Sequence, residues 1–357
     1  MKISDFLYEM TYGNIDYDYA YHYFQPLAHY GCPAIRNGNW FGRDFDWLHN
    51  NQVRSVVHTP SALDRYAVLG VSGVIPHIEA DNVAEADIIA DGVDMFRLLP
   101  FYLLDGINEK GLFCTHNVAP LDDLSKPTIV IKAQVKEVDR VCVPMLPRYI
   151  LDNFANSQQA IDHIIKYTAV YFSDEMIRSG HQSHFLIGDG KRTYVMEFVN
   201  GGINIIVAPY ITNFNLSGVM FNKDGGIDEP YIAHGVNMYG SGLERYDITT
   251  NGYGICGDET GMRRILDKIA YSHSYGEPFW YSEIVRQLDD DGGPITVDTP
   301  EGLCTESKRR TIDNRNARGR DGPEVWITCH SSVYDIKSET LSLRNQETNE
   351  VYDFTLD

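Results

Sequence analysis

A cysteine and an arginine on either side of an Asn-Gly turn are the residues best placed to do chemistry in this chain. They lie in His29-Tyr-Gly-Cys-Pro-Ala-Ile-Arg-Asn-Gly-Asn-Trp-Phe-Gly-Arg-Asp-Phe-Asp-Trp47. Asn37-Gly38 is a strong signal for a β-hairpin closed by a two-residue turn. With Asn37 and Gly38 as the turn residues, Arg36 faces Asn39, Ala34 faces Phe41 and Cys32 faces Arg43. Opposed side chains sit about 4.5–5.5 Å apart at Cβ, so the count predicts a thiol beside a guanidinium. A nearby cation favours the thiolate, and the thiolate is the nucleophile. For a thiol and a cation met at random, the ordinary reading is a buried small hydrophobe and a surface charge.

Such a nucleophile needs a base, and no histidine stands ready for Cys32. Cys329-His330 are adjacent, so in a strand they point to opposite faces. Cys114 and His116 share a face, but no third group is evident to orient the imidazole. His181 and His184 are a weak metal hint. No GxSxG, HExxH or Walker A sequence occurs, so those serine-hydrolase, zincin and P-loop fingerprints are missing. One arrangement dispenses with a histidine. A cut between Gly31 and Cys32 gives residue 32 a free α-amine, whose unperturbed pKa of about 7.7–8.0 suits a general base at working pH.

The elements that must position these residues are strand-rich. Residues 1–31 carry a single positive charge, Lys2. Ile3, Phe6, Leu7 and Met10 fit one helical face, and Tyr17, Tyr19, Tyr21 and Tyr23 alternate as in a strand. Ser55–His58, Tyr66–Val71 and Leu112–Val118 read as strands. Asp94–Asp105 is partly helical, and Gly106–Gly111 is a turn. Val143–Ile165 holds two amphipathic helices, the second capped by Ser157. His184–Gly188 and Thr193–Phe198 form a hairpin, followed by strands at Ile203–Val207 and Tyr210–Phe214. Thr260–Ile269 and Pro278–Leu288 read as helices. Glu324–Cys329, Ser332–Tyr334 and Thr340–Arg344 return to strands. No repeat or linker divides the chain, so one α+β layered domain is expected.

Composition sets outer limits. The chain has 357 residues, 43% hydrophobic and 22% charged, enough for a large core. A net charge of −20 disfavours nucleic acid and anionic membranes as partners. Six scattered cysteines without a CxxC read as free thiols. There is no signal-peptide core and no apolar run of membrane-spanning length, so the cytoplasm is the expected compartment and no membrane insertion is expected. No metal or cofactor is called for, and self-association as a homo-oligomer stays open.

Cys32 followed by Asn39-Trp-Phe-Gly-Arg-Asp-Phe-Asp-Trp47 resembles the start of the mature choloylglycine hydrolase family. These linear amide C–N hydrolases include bile salt hydrolases and penicillin V acylases, with acid ceramidase and N-acylethanolamine acid amidase as distant relatives. Further segments resemble the family in the same order: Asp105-Gly-Ile-Asn-Glu-Lys-Gly-Leu112, His184-Phe-Leu-Ile-Gly-Asp189 through Met196-Glu197, Ile211-Thr-Asn-Phe214, and Gly242-Leu-Glu-Arg-Tyr246. The likeness runs from about residue 32 to the C-terminus. It implies the four-layer αββα sandwich of N-terminal-nucleophile (Ntn) hydrolases. It also implies roles: Cys32 as nucleophile with its own amine as base, Arg43 stabilising the thiolate, and Asp46 orienting the amine. Asn213 and Asn117 would be oxyanion donors, and Arg245 a brace ion-paired to Asp46 or a neighbour.

Three departures bear on that reading. Asp44 stands where the family has Asn and adds a negative charge. Pro33 follows Cys32 and removes a backbone donor. The leader, residues 1–31, reads as a pro-segment removed by self-cleavage, leaving 32–357 as the catalytic domain. Arg43 and Asp46 also differ by an odd number, so both reach Cys32 only if the strand bends or bulges after Gly42 or Arg43. The expected activity is hydrolysis of a small, linear, non-peptide N-acyl amide through an acyl-thioester. An acyltransferase, or an unprocessed ligand-binding homologue, is the alternative.

Overall fold

The computed structural model describes residues 2–4, 7–23, 33–47, 54–72, 89–90, 93–120, 140–171, 181–199, 202–218, 242–270, 327–346 and 348–356. Cys32, its bond to Gly31, and the segment Pro278–Leu288 lie outside the described residues. In chain order the strands are β1 (Lys2–Ser4), β2 (Leu7–Thr11), β3 (Ala34–Asn37), β4 (Trp40–Trp47), β5 (Arg54–Thr59), β6 (Val68–Ser72), β7 (Ile89–Ala90) and β8 (Val93–Asp94). They continue with β9 (Leu103–Asn108), β10 (Phe113–Pro120), β11 (Arg140–Cys142), β12 (Ala169–Tyr171), β13 (His181–Gly188), β14 (Thr193–Val199), β15 (Gly202–Val207), β16 (Tyr210–Ile211), β17 (Ile327–Asp335), β18 (Thr340–Asn345) and β19 (Val351–Thr355). The α-helices are α1 (Tyr17–Tyr23), α2 (Met95–Leu98), α3 (Leu146–Asn153), α4 (Ser157–Tyr167), α5 (Gly242–Gly252) and α6 (Glu259–Ile269).

Two large sheets hold the fold together. One has nine strands in the order β1-β2-β5-β6-β9-β10-β13-β14-β15, and the other six in the order β16-β3-β4-β17-β18-β19. Pairing is antiparallel throughout both except where β2 runs parallel to β5. The sheets meet through alternate residues of β4. Phe41 packs on Phe113 of β10, with ring centroids 3.8 Å apart, and Arg43 reaches Asp105 of β9. The intervening Gly42 faces the other way. A Cβ on Gly42 would come within 2.6 Å of Met262 in α6, so the missing side chain lets that helix lie on the strand. On the nine-stranded sheet, α3 and α4 bury Leu146, Ile150, Leu151, Ala160, Ile161 and Ile164 against Cys114, Phe185 and Met196. The result is a mixed, sheet-rich fold with few helices. Among the described residues, no helix is long and apolar enough to cross a membrane.

The hairpin forms, but one step out of the counted register. Asn37 pairs with Trp40, Arg36 with Phe41, and Ala34, not Cys32, stands opposite Arg43. Gly38 alone takes a left-handed φ, +61°, and serves with Asn39 as the turn, as in a Gly-first hairpin. Asn37 remains in the ladder, and its side-chain amide donates to the Tyr253 carbonyl at 3.0 Å.

Other boundaries also differ from expectation. The two leader elements exchange identity: Leu7–Thr11 is a strand and Tyr17–Tyr23 a helix. Strand β9 continues through Gly106 to Asn108, so the turn is shorter than Gly106–Gly111. The cap of α4 is Asn156, whose side chain accepts from Gln159 N, while the Ser157 hydroxyl donates to Asp189 instead. Strand β16 stops at Ile211, and the segment 327–335 is one bulged strand where two were expected. Strand β19 was not read from the sequence at all.

Candidate active site

Strand β4 divides the candidate residues between its two faces. Arg43 and Phe45 point between the sheets, whereas Asp44 and Asp46 point toward α5 and α6. The strand itself does not bulge. The irregularity lies across from it, between Thr328 and His330 of β17. Arg43 and Asp46 therefore stay on opposite faces, as regular alternation requires.

On the helix side, Asp46 is fully buried and both carboxylate oxygens are taken. Arg245 Nη1 donates to Oδ2 at 2.6 Å, and the Thr328 hydroxyl donates to Oδ1 at 2.7 Å. The same Nη1 donates to Asn213 Oδ1 at 3.2 Å, while Arg245 Nε donates to the Ile269 carbonyl at 2.7 Å. Arg245 comes from α5 and Asn213 from the turn after β16. One guanidinium thus ties an edge loop, a helix and the end of β4. Asn213 presents its Oδ1 to Arg245, which identifies the other amide atom, Nδ2, as its donor. Burial pushes the Asp46 pKa up against the pull of Arg245 and Thr328.

Asp44 sits on the same face, also fully buried, and neither of its oxygens has a hydrogen-bond partner. Its ladder neighbour is Ser331. Burial first, and then the Asp46 charge, raise its pKa to about 8, against weaker lowering by Arg245, Ser331 and Arg344. Burial therefore works against the negative charge that the sequence led one to expect at Asp44.

That shift has a sign that can be checked. The native pKa lies above the roughly 3.9 of an unfolded Asp. Between the two values the native state holds the extra proton, so stability falls as pH rises toward 8. Asp44→Asn is expected to abolish this slope, which is at most about 1.4 kcal/mol per pH unit for one proton. Melting followed by calorimetry from pH 4 to 8.5 should show the variant gaining on the parent toward high pH. Parallel curves would contradict the assignment.

Between the sheets, Arg43 is fully buried. Its Nη1 donates to Asp105 Oδ2 at 2.8 Å and its Nη2 to the His116 carbonyl at 2.8 Å. The Tyr334 hydroxyl donates to the other Asp105 oxygen. Burial and the Asp105 charge push the Tyr334 pKa well up, so its proton stays on. Asp105 and Tyr334 were not singled out as site residues from the sequence. The available signal was a lone carboxylate in an apolar strand, which must find a cation or a donor.

Asn117 follows His116 on β10 and is fully buried. Its Oδ1 accepts from the Thr115 hydroxyl. It pairs across the ladder with His184, which in turn pairs with Glu197. Glu197 is buried and holds the loop beyond Asn213, accepting from the Leu216 and Ser217 amides at 2.6 and 2.8 Å. Glu197, quoted above only within a resembling segment, was not read as a site residue from the sequence.

The structure thus brings Asp46, Asn213 and Arg245 into direct contact. It places Arg43 apart with Asp105, and Asn117 one residue from the carbonyl that Arg43 holds. The decoys disperse. His116 Nε2 lies 2.7 Å from the Ser183 hydroxyl, and its ring stacks on Phe185, not on Cys114. Cys329 falls at the bulge of β17, and His184 neighbours Asn117 and Glu197. Burial raises the thiol pKa of Cys114 well up, that of Cys142 to about 12 and that of Cys256 to about 11. None of these three is a thiolate at neutral pH.

No family model matches the sequence, and no curated protein is found as a relative. Among solved structures, the chain is similar to penicillin V acylase from Agrobacterium tumefaciens, at 14% identity and a TM-score of 0.47, covering 91% of this chain and 86% of that one. It is also similar to a mutant conjugated bile acid hydrolase from Clostridium perfringens, at 15% identity and a TM-score of 0.44, covering 91% and 92%. A second variant of that hydrolase gives 13% identity and a TM-score of 0.38, covering 91% and 92%.

Proposed function

We propose that this chain is an Ntn amidase that hydrolyses a linear, non-peptide N-acyl amide with Cys32 as nucleophile, once the Gly31–Cys32 bond has been cut. The observation that carries the reading is the buried chain Asn213–Arg245–Asp46, which orients an amide donor and a carboxylate around one guanidinium. Arg43 with Asp105 supplies a fixed cation on the other face of the same strand. The αββα layering of this enzyme class is supported by α3 and α4 packing on one sheet and α6 on the other.

In this reading the α-amine of Cys32 takes the thiol proton, and the sulfur attacks the substrate carbonyl. The carbonyl oxygen becomes an oxyanion, accepting from Asn213 Nδ2 and, as a second donor, Asn117. The α-ammonium then gives its proton to the departing amine as the C–N bond breaks. Water attacks the thioester, releases the acid and returns the free thiol. Asp46 acts on the orientation of the amine, while Arg43, on the opposite face of the unbulged β4 and held by Asp105, is given no direct action on the sulfur. The protonated state of the three buried thiols discussed above is consistent with a nucleophile elsewhere in the chain.

Intact mass and amine release test this together. The wild type is expected to yield a polypeptide beginning at Cys32 and to release amine from a panel of N-acyl amides. Cys32→Ala should remain uncut and inactive. A folded wild type that stays full length and releases no amine from the panel would sink the proposal.

A further inference from the structure

The layer between the two sheets holds a second group of polar side chains that the reaction above leaves unused. Arg54 opens β5 and is 4% exposed, yet its Nε and Nη2 have no hydrogen-bond partner. Strand alternation puts it on the same face as Val56, which belongs to the core cluster that includes Tyr334 and Phe354. His330 and Ser332 of β17 share the inward face with Tyr334. His330 is 1% exposed and Ser332 is fully buried. Both His330 ring nitrogens and the Ser332 hydroxyl are without partners. Opposite them across the ladder stand Phe45 and Arg43. Phe45 joins the two halves: its ring stacks on His330 at 5.0 Å, and the Arg43 guanidinium carbon lies 5.5 Å from its centroid. Apart from burial, the Arg54 charge is the largest influence on His330, ahead of Arg43, and together they hold its pKa well below the usual range.

A buried guanidinium without a counter-charge is costly, and so are buried donors without acceptors. The bonds described for Asp105 go to Arg43 and Tyr334, not to Arg54. Among the described residues, what the cluster lacks is an acceptor with negative charge. The geometry points to Arg54, His330 and Ser332 as a carboxylate-binding subsite between the sheets, beside Arg43. The carboxylate comes either from the substrate itself or from a free acid acting as an effector. Arg54 would take it by charge-assisted hydrogen bonds, and His330 and Ser332 would donate one each. The substrate-borne version rests on the amidase reading; the free-acid version does not.

The test uses the full chain carrying Cys32→Ala, so that nothing is turned over. N-lauroylglycine and the uncharged N-lauroylethanolamide are titrated by calorimetry, and sodium acetate is titrated against the melting temperature. If the substrate carries the anion, the glycine conjugate binds about tenfold or more tightly than the ethanolamide, and Arg54→Met removes the preference. If a free acid is the ligand, acetate raises the melting temperature in the parent and not in Arg54→Met, while the two amides bind alike. Arg54→Lys, which keeps the charge, should retain part of either effect and serves if Arg54→Met does not fold. No preference and no acetate effect in the parent, or effects unchanged in Arg54→Met, overturn the subsite. Binding that follows Arg54 in a protein whose wild type releases no amine would fail the amidase reading alone.

Discussion

Arg245→Met is expected to destabilise the fold by about 3–5 kcal/mol, the usual cost of removing one partner from a buried ion pair. The reason is geometric. Arg245 Nη1 serves Asp46 and Asn213 at once, and its Nε holds the last carbonyl of α6. Methionine fills similar volume but leaves Asp46 with the Thr328 hydroxyl alone among the side-chain bonds described for it. The loss should depend on pH. Burial already raises the Asp46 pKa, and without Arg245 both Asp46 and Asp44 lose a lowering influence. Their native pKa values then rise further above the unfolded ones, so the penalty grows as pH rises. Urea unfolding at pH 5 and pH 8 should give a larger difference at pH 8. Asp46→Asn in the Arg245→Met background should recover part of the loss, since it removes the stranded charge. A stability loss equal at both pH values, with no recovery in the double variant, would show that Arg245 acts only by packing.

How much of this was visible in the sequence depends on the range of the interaction. The hairpin, the His181–Val199 ladder and the two helices around residue 155 carry local signals: a Gly-containing turn, alternation, and apolar spacing with a cap. Even there, the register turned on which residue of Asn37-Gly38-Asn39 took the positive φ. Asn37 also donates to the Tyr253 carbonyl, separated by 216 residues, a contact that no local pattern records. The leader was misread for a related reason. Short apolar runs fit either period, and the alternating tyrosines masked a helix start at Asp16, whose carboxylate accepts from Tyr19 N at 2.9 Å. Arg43 and Arg245 could be picked out, but not their partners. Asp105 lies 62 residues from Arg43, and Tyr334 lies 229 from Asp105. No local pattern records such pairings. Only the rule that a buried charge must be compensated says that they exist.

Cleavage at Gly31–Cys32 is expected to leave the leader attached to the fold without a covalent bond. The family resemblance implied a pro-segment removed by self-cleavage; the described part of the leader is built into the nine-stranded sheet. Strand β2 pairs with β5 from Leu7 opposite Arg54 to Thr11 opposite His58. Tyr12 N donates to the His58 carbonyl at 2.8 Å, the Tyr17 hydroxyl donates to Asp152 at 2.5 Å, and Arg97 pairs with Asp16 at 2.7 Å. Leu7, Ile15 and Ala20 are buried, and the Tyr17 ring packs edge-on to Phe101 at 4.9 Å. Burying side chains such as Leu7 and Ile15 contributes about 1.5–3 kcal/mol each, a sizeable share of the 5–15 kcal/mol that typically separates folded from unfolded states. Losing the segment would also bare the edge of β5, an invitation to aberrant strand pairing. The processed protein should therefore show two chains on a denaturing gel. Native mass spectrometry should show one particle with the mass of the full chain plus one water. A chain expressed from Cys32 onward should aggregate, and co-expression with residues 1–31 should rescue it. A fragment starting at Cys32 that melts at the same temperature as the full protein would refute the structural role of the leader.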